Sequence, residues 1–165
     1  MYFQYNQSDI DYLKAKDPIL GAAMDRIGPI RRPVQDDLYE SLVNSIVGQQ
    51  ISTAAHRTIW KRITDHYGKV TPEKICGTAP EDLQRFGISF RKAAYILENS
   101  NKICSGGFDL EGLTRKEDEE VIQALCTLKG IGVWTAEMLM IFCMQRPDIL
   151  SFGDLAILRG MRMLY

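Results

Sequence analysis

Apolar residues recur every three to four positions along most of the chain, and no segment alternates apolar and polar residues as a strand would. This period predicts amphipathic helices that each bury one face. The fold is therefore expected to be all-α, a compact array of short helices. Three of the apolar stripes are Leu38-Leu42-Val43-Ile46-Val47, Ala55-Ile59-Trp60-Ile63 and Phe90-Ala94-Leu97-Ile103.

Residues typical of helix ends predict where these helices begin. Ser52 and Ser89 are expected N-caps. Pro72 and Pro80 predict two short helices, because proline suits the first helical turn. Connections of two to eight residues are expected, and no repeat, linker or low-complexity tract divides the sequence. We therefore expect a single helical domain over residues 1–165.

Composition is that of an ordinary globular protein, with 45% hydrophobic and 25% charged residues. The net charge of −1 argues against a surface coated for nucleic acid, although residues 56–116 carry eleven basic and seven acidic side chains. No apolar run reaches the roughly 18 residues of a membrane span, and residues 1–11 are too polar for a signal peptide. A cytoplasmic protein without a membrane partner is expected.

The cysteines do not have the spacing of a metal centre. Cys76, Cys104, Cys126 and Cys143 are separated by 28, 22 and 17 residues, so the chain has no CxxC pair and no iron–sulfur pattern. We expect reduced thiols, buried as small hydrophobic groups. No iron–sulfur cluster and no required cofactor are predicted.

Two glycines around a single apolar residue form the most informative segment. Gly130 and Gly132 are expected to allow a backbone too tight for side chains, with Ile131 as a plug between two helices. The helix that follows would begin with free backbone N–H groups, at Val133 to Thr135, which can hold a phosphate without lysines. On this segment alone, a plain corner between helices with a glycine C-cap is an equally open interpretation.

An aspartate, Asp154, stands directly before an apolar helix. Taken alone, an aspartate in that position is most often an N-cap. Its role in any chemistry depends on what surrounds it.

Three segments together resemble the helix-hairpin-helix (HhH-GPD) DNA glycosylase superfamily. Leu128–Ala136 resembles the family hairpin, within a region of about 121–144. Asp148–Ile157 resembles the loop that ends in the family's aspartate, and Trp134 and Asp154 are 20 residues apart, which suits that family. Ser45–Ser52 looks like the helix end and loop that penetrate DNA. The resemblance covers about residues 35–165.

The resemblance also implies a branch and a reaction. Bifunctional members carry a lysine two positions after the second hairpin glycine, whereas this chain has Trp134, as in the 3-methyladenine DNA glycosylase II (AlkA-like) branch. An indole cannot form a Schiff base, so a monofunctional enzyme without lyase activity is expected. Asp154 would be the catalytic carboxylate. Trp134 and Met138 would line the base pocket. Met138 stands where the branch often has an aromatic residue, and the alternative is that it packs in the core.

The resemblance implies further contacts with DNA. Gln49 and Gln50 would fill the gap left by a flipped nucleotide, or else are surface amides. The main-chain carbonyls of Cys126, Leu128 and Ile131 would hold a structural Na⁺ or K⁺. The expected partner is double-stranded DNA that contains alkylated bases, bound by a monomer in base excision repair, in the cytoplasm or in a eukaryotic nucleus.

Two alternatives stay open at this point: a non-catalytic DNA-binding module, and a glycosylase for deaminated or oxidised bases. Family domains continue with further helices after the aspartate, and some carry an extra N-terminal sheet domain. Only eleven residues follow Asp154 here. We therefore expect a compact form of the fold, truncated at the C-terminus.

Overall fold

A computed structural model describes residues 1–165, and it confirms the predicted all-α fold. It contains ten α-helices, one 3-10 helix and a single isolated bridge between Tyr2 and Pro33. None of the helices combines the length and the apolar character that a membrane span requires. The α-helices are α1 Gln7–Lys16, α2 Pro18–Ile27, α3 Leu38–Gly48, α4 Thr53–Tyr67, α5 Pro72–Ile75, α6 Pro80–Gln84, α7 Phe90–Cys104, α8 Asp118–Cys126, α9 Val133–Phe142 and α10 Leu155–Leu164, and the 3-10 helix is Glu111–Arg115.

The predicted helix starts are confirmed by their caps. The hydroxyl of Ser52 accepts the N–H of Ala55, and that of Ser89 accepts the N–H of Lys92. Proline occupies the first turn of both α5 and α6. Helix boundaries are thus set locally, by side chains that satisfy the free N–H groups of each first turn.

Helices α1 and α2 have no counterpart among the predicted stripes. α1 has no buried residue, so the apolar period that reveals other helices is missing. Its start is instead fixed by a capping box, in which the side chain of Asn6 accepts the N–H of Asp9 and the side chain of Asp9 accepts the N–H of Asn6. The Asn-x-x-Asp pattern was the available signal for this helix.

One continuous core lies between residues 39 and 140 and holds 21 buried hydrophobic residues. α3 is its centre and contacts α4, α7 and α9. The stripe expected for α7 is partly wrong: Phe90 is 56% exposed, and the buried face carries Ala93, Ile96 and Leu97. Phe90 lies on the same side of the helix as Ala93 and Leu97, three and seven residues further on, but it is the first residue of α7 and stays exposed there.

Two connections are longer than expected. Residues 28–37 and 143–154 form loops of ten and twelve residues. The second leads from α9 to Asp154 and then into α10, which contacts α2. Apolar residues of α10 are exposed, among them Leu155 and Met161. The long loop is what places the start of α10 beside the start of α9.

Candidate functional site

The turn between α8 and α9 requires one of its two glycines. Gly130 has φ +77°, and a Cβ there would lie 2.5 Å from Cδ2 of Tyr95. Gly132 has φ −104° and no atom within 4 Å of such a Cβ. The expectation of a backbone too tight for side chains therefore holds at Gly130 and is wrong at Gly132. Ile131 is buried in the core, as the predicted plug requires.

Two side-chain amides from distant segments hold this turn. Asn99 on α7 is 1% exposed; its Oδ1 accepts the N–H of Lys129 at 2.8 Å and its Nδ2 donates to the carbonyl of Lys129 at 2.9 Å. Nε2 of Gln49 donates to the carbonyl of Gly130 at 2.7 Å. The turn is thereby fixed to α7 and to the end of α3.

The first turn of α9 offers free backbone donors. Its N-cap is Gly132, which has no side chain to accept a hydrogen bond. The N–H groups of Val133, Trp134 and Thr135 make no hydrogen bond within the protein. Val133 and Trp134 are exposed, whereas the side chain of Thr135 is buried. Thr135 can therefore contact a ligand only through its main chain. The N-terminus of α9 as a whole can bind an anion.

Gln49 and Gln50 differ in what they can reach. Gln49 is half-buried and its amide supports the turn through the carbonyl of Gly130, while its expected role in DNA stays a prediction. Gln50 is exposed, with φ +56°. Nζ of Lys92 donates to the carbonyls of Val47 and Gln49, at 2.8 and 2.6 Å, and stabilises the end of α3. Gln50 is thus presented outward from a fixed loop.

Asp154 is the N-cap of α10 and a partner of the hairpin helix. One carboxylate oxygen accepts the N–H groups of Ala156 and Ile157, at 2.7 and 3.1 Å. The other accepts Nε1–H of Trp134 at 2.7 Å. The bond from Trp134, followed by the bonds from Ile157 and Ala156, lowers the pKa of Asp154 below the usual range of an aspartate. The carboxylate is partly exposed and ionised at neutral pH.

Trp134 lies beside Asp154 in the first turn of α9 and is 51% exposed. Met138, one turn further along the same helix, is partly buried. A flat aromatic surface next to a carboxylate can stack a planar ligand and neutralise a positive charge near it. The structure brings Trp134, Asp154 and the free N–H groups of α9 to one place.

The carbonyls expected to hold a monovalent cation fit that role. Those of Cys126 and Ile131 accept no hydrogen bond in the protein, and that of Leu128 accepts only the N–H of Ile131. The neighbouring carbonyls of Lys129 and Gly130 are taken by Asn99 and Gln49. The carbonyl oxygens of Cys126 and Ile131 are therefore free to accept a ligand, and a carbonyl oxygen can accept more than one partner.

The cysteines are all free thiols. Cys104 is exposed and the other three are partly exposed, so the expectation of buried thiols is wrong. Cys126 is the one nearest the hairpin, at the end of α8. Burial and the charge of Glu137 raise its pKa, which keeps it a neutral thiol.

Several residues that hold the site carry no signal in the local sequence pattern. Arg146 lies in the loop before Asp154, and its Nη2 donates to the carbonyl of Lys116 at 2.8 Å, while its Nη1 lies 3.2 Å from Asp118. These contacts join the loop to the start of α8. Asn99, Lys92 and Arg146 all donate to main-chain carbonyls at least 30 residues away along the chain. Sequence periodicity gives no information about contacts over that separation.

The sequence is similar to those of known DNA repair proteins. Residues 43–165 match the HhH-GPD superfamily of base excision DNA repair proteins. DNA-3-methyladenine glycosylase 1 of Schizosaccharomyces pombe is 33% identical over 141 residues, which are 83% of this chain and 62% of that protein. The chain therefore spans less than two thirds of that relative's length.

Solved structures show the same fold. A DNA-3-methyladenine glycosidase from Bacillus halodurans has a TM-score of 0.87 and 35% identity, over 100% of this chain and 77% of that one. The 3-methyladenine DNA glycosylase Mag1 of S. pombe, in complex with abasic DNA, has a TM-score of 0.78 and 29% identity, over 96% of this chain and 80% of that one. With the hairpin, its exposed helix end and the aspartate in place, this chain belongs to the HhH-GPD superfamily of base excision DNA repair proteins.

Proposed function

We propose that the protein is a monofunctional DNA glycosylase of the AlkA-like branch, which flips alkylated bases of the 3-methyladenine and 7-methylguanine type out of duplex DNA and hydrolyses their N-glycosidic bond. The observation that carries this proposal is the bond between Trp134 and Asp154, which holds an ionised carboxylate beside an exposed aromatic ring. The names of the relatives support the substrate class.

The role of Asp154 is electrostatic. As the base departs, the deoxyribose develops positive charge, and a fixed carboxylate next to it stabilises that charge. One oxygen of Asp154 is committed to capping α10, so the oxygen bonded to Trp134 is the one available to the sugar or to the attacking water. The lowered pKa excludes Asp154 as a proton donor at neutral pH.

The role of Trp134 follows from the chemistry of the lesion. A base alkylated at a ring nitrogen can carry positive charge, which weakens its glycosidic bond and attracts it to the face of an electron-rich ring. Trp134 presents such a ring, with half of its surface exposed. Met138, one turn further along α9, would lie at the edge of the surface that holds the flipped base.

The absence of lyase activity is proposed from the available amines. Lyase chemistry needs a free amine to attack the sugar, and position 134 has an indole. Nζ of Lys129 lies 4.0 Å from Oε1 of Glu98, and both side chains are exposed. Burial lowers the pKa of Lys92, but its amine is engaged by the carbonyls of Val47 and Gln49. Each of these two amines thus has a partner elsewhere in the protein.

DNA would be gripped mainly through the main chain. The N–H groups at the start of α9 can donate hydrogen bonds to a phosphate. This mode of binding needs no basic side chains, which suits a chain whose net charge is −1. A Na⁺ or K⁺ held by the carbonyls of Cys126, Leu128 and Ile131 would add a positive charge for that phosphate. Gln50, exposed at the tip of its loop, would fill the space left by the flipped nucleotide.

The proposal is tested by incubating the protein with methylated duplex DNA and analysing both the free bases and the strands. We expect free 3-methyladenine or 7-methylguanine, and abasic strands that break only after alkaline treatment. Strands cleaved without that treatment would contradict the monofunctional mechanism. Binding without base release would favour a DNA-binding module. Duplexes with uracil or 8-oxoguanine serve as controls, and preferential excision from those would contradict the substrate class.

A further inference from the structure

A second hydrogen bond joins the same two segments as the bond between Trp134 and Asp154. The hydroxyl of Ser151 donates to Oε2 of Glu137. Glu137 follows Trp134 by three residues on α9, and Ser151 precedes Asp154 by three residues in the loop. The two hydrogen bonds therefore link α9 and the loop at two places, between segments that run in opposite directions. Together they fix both the position and the orientation of residues 151–154 relative to α9.

The main chain of residues 150–153 makes one hydrogen bond, in which the carbonyl of Ser151 accepts the N–H of Asp154 at 3.1 Å. Leu150 and Phe152, the neighbours of Ser151, are 54% and 78% exposed, whereas Ser151 is 0% exposed. The hydroxyl is thus the only side-chain group of residues 150–152 that points into the protein.

We propose that Glu137 and Ser151 are positioning residues for the reaction, forming a latch that holds Asp154 at its working distance from the flipped nucleotide. This inference rests on the proposed function. Neither residue touches the DNA: Glu137 acts through Ser151, and Ser151 acts through the backbone that leads to Asp154. Small displacements of a catalytic group cost large factors in rate, so the latch is expected to affect the chemical step and to leave DNA binding unchanged.

The first test needs no enzymatic activity. The protein has two tryptophans, Trp60 and Trp134, and the indole N–H of Trp134 is protected by its bond to Asp154. In Ser151→Ala, hydrogen exchange at that N–H, followed by NMR, is expected to be faster, while exchange at Trp60 is unchanged. Ser100→Ala is the matched control, because Ser100 is an equally buried, hydrogen-bonded serine away from the site. Unchanged exchange at Trp134 in Ser151→Ala would overturn the latch, whether or not the protein is a glycosylase.

The second test is a double-mutant cycle on single-turnover base release. Ser151→Ala and Glu137→Ala are each expected to lower the rate by about tenfold to a hundredfold, with unchanged affinity for abasic duplex DNA. The double variant should be no slower than the slower single variant. Additive losses, or a parallel loss of affinity, would overturn the proposal.

The conservative variant Glu137→Gln separates positioning from catalysis. Its amide oxygen still accepts the hydroxyl of Ser151, so most of the rate lost in Glu137→Ala should return. If Glu137→Gln is instead as slow as Glu137→Ala while it folds normally, the charge of Glu137 itself takes part in the reaction, and the positioning role is wrong.

Discussion

The indole nitrogen of Trp134 lies 2.7 Å from the Oδ2 atom of Asp154, so a residue in the first turn of α9 also holds the carboxylate that caps α10. The indole of Trp134 is not an amine and cannot attack a sugar as one, and it donates a hydrogen bond to the carboxylate of Asp154.

A second aspartate in the protein has nearly the same surroundings. One oxygen of Asp17 accepts the N–H groups of Ile19 and Leu20 at the start of α2, and the other accepts the hydroxyl of Tyr165. Its pKa is lowered as well, first by Tyr165 and then by Leu20. An ionised aspartate that caps a helix is therefore not by itself a sign of catalysis. What distinguishes Asp154 is its place beside the hairpin.

Replacing Trp134 by phenylalanine is expected to raise the pKa of Asp154. The bond from Trp134 is the largest cause of the lowered value, whereas the bonds from Ala156 and Ile157 remain. The ionised form should therefore be lost at a higher pH as the solution is acidified. NMR titration of the Asp154 side-chain carbon measures this midpoint, with Asp17 as the internal control that stays constant. An unchanged midpoint for Asp154 would mean that the bond to Trp134 does not form in solution.

The two hairpin glycines are expected to respond differently to alanine. Gly130→Ala combines a positive φ with a close approach to Tyr95, and should lower the free energy of unfolding by about 2–4 kcal/mol. Gly132→Ala meets no neighbouring atom and should cost less than about 1 kcal/mol. Urea unfolding of both variants measures the difference, and equal losses would contradict the described turn.

Substitutions at the two adjacent glutamines are expected to have different effects, on stability at Gln49 and on base release at Gln50. Gln49→Ala loses its bond to Gly130 and is expected to lower the free energy of unfolding by about 1 kcal/mol. Gln50→Ala should change stability by less than about 0.5 kcal/mol, because its side chain is exposed. If Gln50 fills the gap in the duplex, its removal should slow base release from duplex DNA more than from single-stranded DNA. An equal effect on both substrates would remove Gln50 from the flipping step.

Local chemistry made much of the fold predictable from the sequence. Ser52, Ser89 and Asp154 cap the helices that follow them, and Ile131 is buried as its place between two glycines suggested. α1 was not predicted because it buries nothing, so it leaves no apolar stripe. Local rules work where a residue's partner is within one helical turn.

The supporting contacts of the site could not be predicted in this way. Gln49 reaches Gly130 across 81 residues, and Asn99 reaches Lys129 across 30. The sequence placed Trp134 and Asp154 at the family spacing, but their hydrogen bond depends on how a twelve-residue loop folds back. Such contacts are decided by the packing of the whole chain, and no pattern along the sequence records them.

The most direct measurement is the single-turnover rate at which Asp154→Asn releases 3-methyladenine from methylated duplex DNA, with Asp17→Asn as the matched control. Asparagine can still cap a helix, so both variants should fold with similar stability. We predict that Asp154→Asn is slower than the unmodified protein by about a hundredfold or more, while Asp17→Asn keeps the full rate. A folded Asp154→Asn that releases the base at the unmodified rate would contradict the account.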